Sequence, residues 1–346
     1  MTQLVQLPAQ ERAQALHPLL THLQQMRQTP EQEWQGCLRP AVFWRDWRIQ
    51  RIDGGWSNLL YRATNEAGDL AVKFTLPDGR DRAGREYGAL TALREAGLSV
   101  APEAVLLDRT RYVQPVIVLT WLSGEVSPEP PTDDIGWSRL VEHFAQVHGV
   151  RPDHTTVRLP EAVVNANDPA QAVGAVKQQL ARIPLSHRPT PLGGLLHELE
   201  RCRFPSWSQA PAALCRVDNN ILNMVRRLGP WASVDWENAG WGDPAFDVAQ
   251  WMTHASYIRV PQARWGWVKE RYASLVDDAT AAERIAAYVP IVLVWWVARL
   301  ARYLFEIPRG LDERLVPWPD GWQGDLQAKY DHYLGRAHTA LAAVKG

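Results

Sequence analysis

The apolar positions of the chain change period part-way along it. Leu16, Leu19, Leu20 and Leu23 share one face of an amphipathic helix predicted over residues 9–28, which Pro18 can kink and Pro30 ends. A linker follows to about residue 41. From residue 42 the period falls to two. Trp47-Arg48-Ile49-Gln50-Arg51-Ile52 alternates, and a loop containing Gly54 and Gly55 leads to a second strand at 59–64. Asn65-Glu66-Ala67-Gly68 then turns into a third at 70–74. Residues 81–96 return to helical spacing, with Glu86, Leu90 and Leu93 at i, i+4 and i+7 on the inward face. Residues 105–107 and 116–119 complete a five-stranded antiparallel sheet. Pro128, Pro130 and Pro131 mark a boundary. Beyond it the pattern is mostly helical, over 137–147, 170–183, 192–204, 246–257, 262–276, 280–305 and 323–344. The prediction is an α+β protein with a helical extension at 1–41, a small lobe at 42–122 holding the sheet and one helix, and a larger helical lobe at 123–346.

Polar residues set against that pattern carry the candidate chemistry. Two apolar runs lead into Asp218 and Asp235, with Asn223 between them. A carboxylate at the end of a buried strand has to be paired or used, because burying it bare is costly. One carboxylate to orient a hydroxyl and two oxygen ligands for magnesium form the set that phosphoryl transfer requires. Lys73 stands in an otherwise apolar strand. Only five of the 37 basic residues are lysines, so a lysine kept there points to a need for a compact ammonium. Glu86, on the buried face of the next helix, is its natural partner. Gly54, Gly55 and Ser57 lie in a loop whose backbone N–H groups can cover phosphates; an ordinary hairpin turn fits the same residues. The strand ending at Thr120 runs through Leu122 into Ser123-Gly124, a linker whose backbone edge can pair with an adenine ring. Structural readings stay open for several positions. Asp218 can cap a turn, Asn223 can stabilise its own loop, and Asp243 can cap a helix opening at Pro244.

Composition narrows the classes. A formal net charge of −1 gives no basis for a nucleic-acid partner. Cys37, Cys202 and Cys215 are scattered, without a disulfide framework or zinc-ligand spacing, which points to a cytoplasmic protein. Cys215 has no histidine nearby in sequence to activate it as a nucleophile, and His148 reads as structural. The longest uncharged apolar stretch, 286–298, is interrupted by Pro290 and falls short of the roughly 20 residues of a membrane span. A buried core helix is expected there, with no membrane partner and no signal peptide.

The order of parts, with Asp235-Trp236-Glu237 followed by Gly242-Asp243-Pro244 and Asp247, resembles the aminoglycoside phosphotransferase and choline kinase family, a branch of the protein-kinase-like fold. The resemblance covers about residues 46–345. It implies a bilobal kinase-like fold that uses ATP and Mg²⁺. It implies Asp218 as the catalytic residue, Asn223 and Asp235 as metal ligands, and Lys73, Glu86, Gly54, Gly55, Ser57, Thr120 and Leu122 as the nucleotide site. Two positions depart from the family pattern: Arg216 stands where His is usual, and Val217 where Gly is usual. Arg216 is expected to neutralise a neighbouring carboxylate such as Asp247. Only residues 236–241 separate Asp235 from Gly242, too few to dock a peptide. The expected acceptor is therefore a hydroxyl on a small molecule (an aminoglycoside, a choline-like alcohol or another metabolite), and the protein a monomer or homodimer. Its pocket is expected in the helical lobe, where Trp241, Trp251, Trp265, Trp267, Trp295, Trp296, Glu237 and Glu306 are the candidates; most of these tryptophans are expected in the core, with one or two left to stack on a sugar or a cation. Arg299 and Arg302 leave an anionic acceptor open. The alternatives are a degenerate kinase-like protein that binds nucleotide or ligand without transfer, and a nucleotidyl transferase.

Overall fold

Strand alternation yields a sheet of six strands, one more than the apolar pattern predicts. The computed structural model describes residues 3–26, 41–52, 58–207, 210–312, 315 and 318–345. The strands are β1 (Val42–Trp44), β2 (Trp47–Ile52), β3 (Leu59–Asn65), β4 (Gly68–Phe74), β5 (Ala104–Asp108) and β6 (Val116–Thr120), all antiparallel in the order β1-β2-β3-β4-β6-β5. The extra strand is β1, which pairs Val42 with Ile49 and Trp44 with Trp47. Its three residues are exposed or half-buried, so no alternation announces it.

The two faces of the sheet take different partners. Leu59, Tyr61, Leu70, Val72 and Phe74 pack against Leu16, Leu19, Leu20 and Leu23. Those leucines come from α2 (Ala9–Met26), which follows the short α1 (Gln3–Gln6). Pro18 lies inside α2 without ending it. A proline in a helix interior costs about 3 kcal/mol, whereas each buried leucine contributes roughly 1.5–3 kcal/mol, so four of them outweigh it. On the other face Ile117 and Leu119 meet Leu90 and Leu93 of α3 (Arg82–Glu95). Lys73 is registered opposite Leu60 and Ile117. Strand alternation therefore turns it toward α3.

The rest of the chain is helical: α4 (Asp134–His148), α5 (Pro169–Ala181), α6 (Thr190–Arg201), α7 (Pro244–Thr253), α8 (Gln262–Leu275), α9 (Ala281–Glu306) and α10 (Trp322–Lys345). Asp133, Asp168 and Asp243 accept backbone N–H bonds at the starts of α4, α5 and α7. Such caps open a helix ahead of its first apolar residue, which is why these three begin earlier than periodicity predicts. The stretch Ala281–Arg309 has the length of a membrane span and holds an 18-residue window of mean hydropathy 1.5, yet 78 % of that window is buried inside the protein. It is the core helix, against which α5, α7 and α10 pack.

Two small ribbons sit between sheet and helices. β7 (Ala213–Cys215) pairs with β10 (Gly240–Gly242), and β8 (Met224–Val225) pairs with β9 (Ala232–Ser233). The linker after β6 is stitched to the second ribbon, since Glu125 and Arg226 exchange backbone hydrogen bonds of 3.0 and 2.8 Å. Close approach here demands glycine: a Cβ on Gly124 would lie 2.5 Å from Val225 Cγ1 and 2.7 Å from the Arg226 carbonyl oxygen.

Two histidines, His143 buried and His254 half-buried, make stability depend on pH. His143 Nδ1 lies 3.2 Å from the Trp231 carbonyl oxygen, and His254 Nδ1 lies 2.8 Å from Ser256 Oγ. Burial, with the Arg216 charge next in weight, pushes both imidazoles from 6.5 down to about 3. Both rings stay neutral in the fold and take up protons near 6.5 once unfolded. Their stabilisation is complete above that value and is lost as pH falls toward 3, by about 1.4 kcal/mol per pH unit for each ring. Urea denaturation between about pH 7 and pH 5 should show this slope, and the double variant His143→Gln, His254→Gln should flatten it. An equally steep double variant would assign the slope to other groups.

Candidate active site

The β4 strand brings Lys73 to the centre of a carboxylate cluster. Its Nζ lies 2.9 Å from Glu86 Oε2, hydrogen-bonds Asp235 Oδ1 and lies 3.3 Å from Glu237 Oε2. Burial alone would discharge the ammonium; Asp235, Glu237 and Glu86 together outweigh it and push its pKa well above the ordinary lysine value. Glu86 is buried and also accepts a bond from the Trp236 N–H at 3.2 Å. One carboxylate thus ties together β4, α3 and the segment that carries Asp235.

Further residues that the sequence did not single out close this end of the cleft. Arg82 sits one turn before Glu86 on α3 and bonds Glu237, with a second bond of 2.9 Å to Asp78 Oδ2. Asn58 donates to Glu237 and accepts from the Leu76 N–H at 3.2 Å. The i, i+4 spacing of Arg82 and Glu86 was a usable signal for a shared face; nothing local marked Asn58.

The loop after β7 is held from beneath. Asp247, in the first turn of α7, accepts from the Arg216 N–H at 3.0 Å, Asn219 Nδ2 at 2.9 Å and His148 Nε2 at 3.2 Å. Burial would raise its carboxyl; the bonds from His148 and Asn219 outweigh that and hold it below the usual range. His148 is fixed on its other side by the Tyr272 hydroxyl at 2.8 Å. With Cys215 these residues form a buried trio of possible metal ligands, but both His148 nitrogens and the Asp247 carboxylate already have partners.

Held this way, the loop leaves polar atoms free. Asp218 Oδ1 accepts from the Asn220 N–H at 3.2 Å; among the described residues its Oδ2 has no partner, and neither does the Asn223 side chain. The Asn223 carbonyl accepts from the Val234 N–H at 2.9 Å. That bond sets Asn223 beside the residue preceding Asp235, where the two side chains' oxygens can face a common cation. Val217 and Asp235 have φ of 71° and 63°, left-handed values that a β-branched residue adopts only at a cost. Of the expected nucleotide residues, Thr120 ends β6 with its N–H on the Glu103 carbonyl at 3.0 Å, so that donor is not open to a base. The N–H and C=O of Leu122 have no partner among the described residues. Gly54, Gly55 and Ser57 lie outside the described residues.

The sequence profile of the phosphotransferase enzyme family matches residues 48–291. The chain belongs to that family. No curated protein matches it. Solved structures share the fold at low identity. A choline/ethanolamine kinase family protein from Mesorhizobium loti is 19 % identical with a TM-score of 0.57, over 94 % of this chain and 99 % of that one. A GDP complex of aminoglycoside 2'-phosphotransferase-IIIa is 13 % identical at 0.59, over 92 % and 98 %. A spectinomycin phosphotransferase with ADP and spectinomycin is 10 % identical at 0.57, over 85 % and 93 %.

Several expectations for this phosphotransferase need correction. The Arg216 charge does help hold the Asp247 carboxyl down, but without a direct side-chain bond. The backbone N–H of Arg216 makes that bond, while the guanidinium bonds the Val234 carbonyl at 3.2 Å, because the β8–β9 ribbon lies on its other side. Trp251 and Trp265 are fully buried in a ring cluster with Trp137, the core placement expected of most of these tryptophans, and so drop out of the pocket candidates. Glu237 belongs to the Lys73 cluster, and Glu306 is enclosed by Arg182 at 2.7 Å and Arg302 at 3.2 Å.

Two variants test this loop. Asp247→Ala strands the Arg216 N–H and the Asn219 amide in a buried place and should cost about 2–4 kcal/mol in denaturant unfolding. Val217→Gly relieves the left-handed strain, partly offset by chain entropy, and should leave stability level or raise it by up to about 1 kcal/mol. A clear loss in the glycine variant would show that the Val217 side chain contributes more by packing than its backbone costs.

Proposed function

We propose that the chain transfers the γ-phosphoryl group of ATP to a hydroxyl of a small molecule. The single observation behind this is the Lys73 ammonium held between Glu86 and Asp235, with the free Asp218 oxygen on the neighbouring loop. Lys73, positioned by Glu86, contacts the α- and β-phosphates, and the Leu122 backbone receives the adenine. Asn223 and Asp235 offer the hard oxygen donors that Mg²⁺ prefers. When bound there, Mg²⁺ supplies neutralisation of the charge that builds on the phosphates. Asp218 accepts the acceptor's hydroxyl proton. The acceptor oxygen bonds to the γ-phosphorus, the bond from that phosphorus to the bridging oxygen breaks, and ADP leaves with the electron pair. The ADP and GDP complexes among proteins of this fold support nucleotide use. The same reading takes residues 42–122 as the nucleotide lobe and 123–346 as the lobe carrying Asp218 and the acceptor, at work in the cytoplasm.

Incubation with γ-labelled and α-labelled ATP, Mg²⁺ and a broad panel of alcohols tests the reaction. The γ-label should enter a small product, and Asp218→Asn should slow this by about 10²–10⁴-fold while ADP binding persists. Transfer of α-label would instead mean nucleotidyl transfer. Bound nucleotide with no transfer across the panel would mean a binding protein.

A further inference from the structure

Arg299 of α9 is a cation for which the phosphoryl-transfer reading has no use. Its guanidinium lies over three aromatic rings, 5.1 Å from Trp295, 5.8 Å from Trp296 and 5.1 Å from Tyr303. It is half-buried, and among the described residues no carboxylate reaches it. The one acidic side chain buried on this helix, Glu306, is already enclosed by two arginines.

Contacts connect this frame to the catalytic loop. Trp296 faces the His254 ring at 5.5 Å, and His254 Nδ1 meets Ser256 Oγ at 2.8 Å. Ser256 Oγ accepts the N–H of Ile221, three residues after Asp218, at 3.1 Å. After burial, the influences that push the His254 imidazole down are all cationic: Arg216, Arg299 and Lys329. The indole N–H groups of Trp295 and Trp296 are buried without an acceptor. A guanidinium pre-oriented on aromatic faces, with no carboxylate partner among the described residues, favours an anion and repels an ammonium.

We propose that the acceptor bound beside Asp218 is an alcohol bearing a carboxylate or phosphate group, that Arg299 receives this anionic group, and that polycationic aminoglycosides are poor acceptors. The proposal rests on the reading of Asp218 as the group that orients the acceptor hydroxyl. The reaction is the transfer written above, and the anionic group takes no part in bond exchange.

The test compares ADP release with anionic alcohols (gluconate, glycerate, glycerol 3-phosphate, sugar phosphates) against kanamycin, spectinomycin and choline. Turnover is expected with anionic members, the carboxylate and phosphate arms telling the two groups apart. Arg299→Gln should raise KM for that acceptor by about tenfold or more with kcat within about threefold, and Arg299→Lys should recover part of the loss. Preferred turnover of the cationic alcohols, or a KM indifferent to Arg299→Gln, overturns the proposal. If no alcohol is phosphorylated, inorganic phosphate is titrated against the ADP–Mg²⁺-saturated protein and followed by tryptophan fluorescence. A saturable response in the wild type that Arg299→Gln abolishes supports the anion site; no response, or an equal one in both, overturns it. Anion binding that persists where phosphoryl transfer fails would sink the transfer reading alone.

Discussion

One buried ammonium holds the two halves of this phosphotransferase in register. Lys73 comes from the sheet, Glu86 from the helix laid against it, and Asp235 and Glu237 from the loop above the helical part. Neither Glu86 nor Glu237 tolerates such a place alone, since a bare buried charge costs several kcal/mol even after relaxation. The ammonium itself keeps its proton only because the three carboxylates surround it. The arrangement is therefore mutually conditional. Arg82 and Asn58 extend it by filling the remaining lone pairs of Glu237, which a buried ionic network requires.

The loop after β7 shows how a departure from a family pattern can be absorbed. Arg216 and Val217 look disruptive as side chains, but the loop is anchored by the backbone N–H of Arg216 on Asp247, a bond that any residue but proline can make there. The imidazole against that carboxylate comes from His148, at the end of a helix far away in sequence. The Arg216 guanidinium, free of that duty, braces the carbonyl just before Asp235.

What the sequence disclosed followed from whether a signal was local. The sheet face, the Lys73–Glu86 pair and the apolar stripe of α2 were legible because each is set by spacing within one element or between neighbours. The β1 strand was not, because three exposed or half-buried residues carry no period. The bond of the Arg216 guanidinium to Val234 and the place of Glu237 in the Lys73 cluster were not legible, because both depend on contacts between distant segments. The tryptophans were hardest: a fully buried Trp251 and a half-buried Trp296 look alike in sequence, and only packing tells them apart.

The helix α2 has a consequence for what counts as the unit of this protein. The segment recognisable by descent begins at residue 48 and ends at 291. The apolar core does not stop there. Leu16, Leu19, Leu20 and Leu23 seal the outer face of the sheet, and Tyr333, Ala337 and Leu341 of α10 are buried among the core helices. The inherited segment is thus smaller than the cooperative one. A chain cut to its homologous borders would keep every residue of the Lys73 cluster and still present a bare apolar sheet face to water, a surface suited to association rather than to catalysis.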